Sequence, residues 1–177
     1  FLSLLKYCVL PAFLCCIINP FRAEITYVDV VPDVVLDITA FGPEYIIPNP
    51  FGGADLHVQM GVNAIVIHGE YFEPAAVTVM GDMLAYWNCG DMVGPTSNVW
   101  IDGWDFAPVT GDFYAGIVFA NPGGDLFYGW VHYTIDMATG EVTIMEYAYE
   151  DELGTGIEIC DVGGVDNEIC GNGIDDD

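Results

Sequence analysis

From Glu24 onward, no segment repeats its apolar residues every 3.6 positions, and that constrains the fold more than any other feature. The runs alternate loosely or are densely β-branched, which suits a pleated, half-buried surface and not a helix. "EITYVDVVPDVVLDI" (24–38) is such a run, interrupted by Pro32. "DLHVQMGVNAIVIHG" (55–69) reads as two short strands around Gly61, and "AAVTVMG" (75–81) as another. "DFYAGIVFA" (112–120) passes through the turn signal "NPGGD" into "LFYGWVHYTID" (126–136), and "MATG" leads on to "EVTIMEYAYE" (141–150). These last three runs predict a meander, and "GIEIC" (156–160) one closing strand. The expected fold is all-β: an antiparallel β-sandwich of jelly-roll or Ig-like type over 24–160, preceded by an apolar segment (1–23) and followed by an acidic, Gly-rich stretch (161–177).

Strict alternation in the last hairpin puts Phe127, Val131, Tyr133 and Ile135 on one face and Tyr128, Trp130, His132 and Thr134 on the other. On its partner, the same rule groups Val142, Ile144, Glu146 and Ala148 against Thr143, Met145, Tyr147 and Tyr149. Both faces carry bulky groups. One packs in the core; the other meets a second surface or is buried within the same domain.

Charge narrows the partners. Lys6 and Arg22 are the only basic residues among 177, against 27 acidic ones, for a net charge of −25. Such a surface repels nucleic-acid phosphates and anionic headgroups. With 53% hydrophobic residues the chain can still bury a core, so extreme charge does not imply disorder here. The carboxylates call for counter-ions, calcium first among them.

The opening "FLSLLKYCVLPAFLCCIINPFRA" supports two readings. A basic residue, an apolar run from Tyr7 to Ile18 and a small residue at Ala23 match a secretory signal peptide. The alternative is an apolar arm that docks into another copy, or, if retained, an anchor in a membrane.

Few residues offer chemistry. "CGNGIDDD" (170–177) supplies closely spaced oxygen ligands at Asn172, Asp175, Asp176 and Asp177 with permissive glycines between, as a calcium loop requires; a solvated acidic tail is the plainer reading. Outside the opening stretch there are three cysteines, of which Cys89 and Cys160 form the preferred disulfide and Cys160 with Cys170 the rival. No CxxC occurs and the three histidines are scattered along the chain, which argues against zinc. Trp100 and Trp104, in "SNVWIDGWDF", form a candidate sugar-stacking platform, against the alternative that they pack over the end of the sandwich. The GxSxG, HExxH and phosphate-loop patterns are lacking, and His132 reads as a packed or surface histidine, so no enzymatic activity is expected.

With these residues in view, "ITYVDVVPDVVLDI", "GDMVGPTSNVW" and above all the "YGWV…EYAYE" hairpin resemble a group of secreted bacterial β-sandwich proteins with C-terminal sorting or anchoring signals. "CGNGIDDD" separately resembles the start of the Asp-rich, calcium-type repeats of secreted bacterial proteins. The resemblance implies an extracellular or cell-surface location. The function expected is a structural subunit of an extracellular bacterial fibre or surface assembly, with copies of itself as partners. The alternative is a secreted calcium-binding or carbohydrate-binding surface domain.

Overall fold

The computed structural model describes residues 24–39, 42–61, 64–69, 74–80, 83–100, 102–105 and 108–163. The opening stretch and the Asn172, Asp175, Asp176 and Asp177 loop lie outside the described residues, as does Cys170.

Four long strands form the main wall: β1 (Ile25–Asp37), β11 (Gly111–Ala120), β12 (Leu126–Asp136) and β13 (Glu141–Glu150). Facing it are β2 (Glu44–Ile47), β3 (Leu56–Gly61), β4 (Ala64–Gly69) and β10 (Asp102–Asp105). Short strands link and cap these two parts: β5 (Ala76–Met80), β6 (Met83–Leu84), β7 (Tyr86–Trp87), β8 (Met92–Val93), β9 (Val99–Trp100) and β14 (Ile157–Glu158). There is no helix among the described residues. The protein is all-β.

Hydrogen bonding runs along one path, β1-β13-β12-β11-β5-β6-β10-β4-β3-β2, with β7 added to β11 and β9 to β5. β5 is the joint, pairing with β11 at Ala76 and with β6 from Thr78. Pairings are antiparallel except that of β10 with β6, at Trp104 and Met83. β8 and β14 form a separate two-stranded pair.

One core fills the space between the two parts. Ile117, Phe119, Val131, Tyr133 and Ile144 from the main wall meet Ile47, Leu56, Val58, Met60, Ile65 and Ile67 from the facing strands. Burying each side chain of this size contributes about 1.5–3 kcal/mol. A second, smaller core lies on the wall's opposite face, where Val118, Tyr128, Trp130 and Ala148 pack with Val93, Ile157 and Ile159. The second face of the hairpin is therefore covered from within the chain, by β8, β14 and the residues around them. Trp130 is fully buried there, and its indole N–H has no hydrogen-bond partner among the described residues. Leaving that donor unsatisfied offsets about 1–3 kcal/mol of the burial gain.

Two departures from strict alternation decide which side chains face which core. Pro32 does not end the first strand. The β1–β13 register slips between Asp29 and Val34, and Pro32 sits in that irregularity, where a missing N–H is tolerated on an edge strand. On β13 the partner of His132 is Glu146, while the partner of Tyr133 is Ile144. Met145 is thus an extra residue that reverses the alternation: Val142, Ile144 and Tyr147 all face the main core, while Ala148 faces the smaller one. The grouping of Val142 and Ile144 with Ala148, expected from period two, fails at this bulge.

Candidate functional site

Glu146, placed beside His132 by that bulge, belongs to a polar chain on the wall's outer face. His132 is 7% exposed. Its Nδ1 lies 2.9 Å from Glu146 Oε1 and its Nε2 lies 2.5 Å from Asp112 Oδ1 on β11. The Tyr27 hydroxyl donates to the other oxygen of Glu146. Burial, and then the Glu146 carboxylate, push the Tyr27 phenol well above its ordinary range, so it stays a donor. The Tyr114 ring stacks on the imidazole, centroids 4.2 Å apart and 10° from parallel. Both ring nitrogens are engaged by carboxylates, and with Tyr27 the group links all four strands of the main wall.

A second cluster stands on the outer face of the β2–β3–β4 part. Leu56, Val58 and Met60 point into the core, which turns His57 outward; on β4, Ile65 and Ile67 do the same for His68. The hairpin register sets His57 directly opposite His68. Their rings stack with centroids 5.0 Å apart and 14° between planes. From β2, Glu44 brings Oε2 to 3.0 Å from His57 Nδ1. One ligand atom from each of Glu44, His57 and His68 lies within 4.8 Å of the others. Two of the histidines that are scattered in sequence are therefore neighbours in the fold. The signal was there: positions 57 and 68 lie four residues outside the paired Gly61 and Ala64, one on each strand.

Cys89 and Cys160 are joined by a disulfide, with Cα atoms 5.2 Å apart. It ties the turn before β8 to the residues after β14 and closes the cover over Trp130. Trp100 and Trp104 belong to different strands: Trp100 is opposite Ala76 of β5, and Trp104, half-buried, is opposite Val66 of β4. Among the described residues, no helix is long and apolar enough to cross a membrane.

Compared with known proteins, the chain matches no family model, no curated protein and no solved structure.

Proposed function

We propose that this chain is a structural domain of an extracellular bacterial fibre or surface assembly, in which copies join by strand addition at the edge formed by β1. The observation that carries this reading is the edge itself. β1 has 13 residues and pairs with β13 alone among the described strands. Along it, Val31 and Val35 are 78% and 55% exposed. A long edge strand with exposed apolar residues is a template for another strand, and soluble proteins usually blunt such edges with lysine. The described residues contain no lysine or arginine. The blunting groups here are Asp29, Asp33 and Asp37, which repel a second copy until cations screen them. Calcium is the cation this reading assigns to that task. The resemblance of the "YGWV…EYAYE" hairpin to secreted surface proteins supports the same location.

Electron microscopy and sedimentation of the full chain, with and without calcium, test the reading. Filaments or ordered oligomers are expected in calcium, and Val35→Lys should abolish them while leaving the circular dichroism spectrum unchanged. A chain that stays monomeric in both conditions would favour the secreted calcium-binding or carbohydrate-binding domain. Unimpaired assembly of the Val35→Lys variant would exclude β1 as the joining edge.

A further inference from the structure

The Glu44–His57–His68 cluster has the chemistry of a metal site of a different kind from the calcium sites considered above. His68 supplies the deciding detail. Its Nε2 is buried and has no hydrogen-bond partner among the described residues, while its Nδ1 faces the Gly69 carbonyl oxygen at 3.4 Å. A proton on Nδ1 pointing at that carbonyl leaves the Nε2 lone pair open, the tautomer arrangement that orients metal-ligating histidines. A buried lone pair with no donor costs free energy, and a bound cation would remove that cost. No lysine or arginine is present among the described residues to serve instead.

We infer that His57, His68 and Glu44 bind one divalent transition-metal ion of the zinc class. Two imidazoles and one carboxylate suit zinc, copper or nickel, whereas calcium takes oxygen ligands. Ligand atoms around a tetrahedral zinc stand about 3.4 Å apart, given metal–ligand bonds of about 2.1 Å. The donors already lie within 4.8 Å of one another, and small side-chain rotations close the remainder. The Glu44 side chain is 37% exposed against 10% for His57, so the site opens to solvent on the β2 side and water takes the fourth position. Asp102 stands opposite His68 in the β10–β4 register and adds negative charge to the neighbourhood of the ion. The inference is independent of strand addition at β1.

The test titrates zinc into the full chain, first stripped with chelator and then held in excess calcium so that sites made only of carboxylates are filled. One equivalent of zinc is expected to move the imidazole nitrogen resonances of His57 and His68, leave those of His132 in place, and raise the thermal midpoint. His68→Gln should weaken zinc binding by at least about tenfold. If zinc moves His132 or no histidine, or if the His68→Gln variant binds as tightly as the parent, the site is not where we place it. Should that variant fail to fold, the resonances of the parent protein decide alone.

Discussion

His132 and Glu146 are register partners on β12 and β13, with Nδ1 2.9 Å from Oε1, and the Met145 bulge is what brings them face to face. On the other side of the imidazole, Asp112 makes the shorter contact at 2.5 Å. Distance alone would rank Asp112 first. Solvent reverses that ranking, because the Asp112 side chain is 66% exposed and that of Glu146 only 24%. An exposed ion pair is worth about 0–1 kcal/mol, while a shielded hydrogen bond to a charged group is worth about 1.5–3 kcal/mol. Glu146→Gln should therefore lower stability by about 2 kcal/mol, and Asp112→Asn by less than about 1 kcal/mol. Urea unfolding of the two variants checks the order; an Asp112 effect larger than that of Glu146 would contradict the assignment.

Gly129 lies in the middle of β12 between Tyr128 and Trp130, where a glycine ordinarily weakens a strand. Here there is no room for anything larger. A Cβ would come within 2.5 Å of the Ala148 carbonyl oxygen and 3.0 Å of Ile117 Cγ1. The first of these is backbone of the paired strand and cannot rotate away. Gly129→Ala should cost about 1–3 kcal/mol despite alanine's lower conformational entropy in the unfolded chain. A variant as stable as the parent would show that β13 can shift outward at this point.

The Cys89–Cys160 disulfide spans 71 positions of sequence. Closing a loop of that length stabilises the fold by about 4 kcal/mol in the chain-entropy account. Its effect should be local first. The bond secures only the cover over Trp130, while the larger core is built from the main wall and β2–β4. Reduction is expected to shift tryptophan fluorescence to the red at urea concentrations where the far-ultraviolet circular dichroism is still native. Coincident loss of both signals would mean that the two cores unfold as one unit.

The β11–β12–β13 meander and the β3–β4 hairpin stand where the sequence predicts them, because their runs are apolar and rich in β-branched or aromatic residues and are bounded by turn signals. What alternation cannot reveal is an inserted residue. Met145 looks like any other apolar strand position, and only the register shows that the chain steps over it. The slip beside Pro32 is of the same kind, and a proline that reads as a strand break becomes an irregularity in an edge strand. Strands of two residues, such as β6 and β8, are too short to carry a period, and β2 lies among prolines that suggest a loop. The Glu44–His57–His68 cluster was hidden for a different reason. Residues 11 positions apart along the chain meet only if the hairpin turn is centred correctly, and Glu44 joins them from a strand that the pattern does not signal.

Glu150 gives the pH dependence a definite sign. It closes β13 opposite Ile25, is 3% exposed, and its Oε1 accepts a hydrogen bond from the Glu152 N–H at 3.1 Å. Burial raises its pKa above 4.5, the backbone hydrogen bonds oppose that rise, and the Asp151 charge adds to it. The folded state therefore holds this proton more tightly than the unfolded chain does. Its contribution to stability is fully present below about pH 4.5 and is lost as the pH rises through the higher folded value. At neutral pH the fold carries a buried carboxylate that it would hold more easily as the neutral acid. Glu150→Gln removes that charge and keeps an oxygen to accept from Glu152. The variant should melt a few degrees above the parent at pH 7, with the difference closing at pH 4. The remaining acidic residues repel one another and also favour lower pH, so the parent's own profile cannot isolate Glu150. The difference between the two melting profiles can, and a gap that is constant across the range would show that Glu150 does not titrate abnormally in the fold.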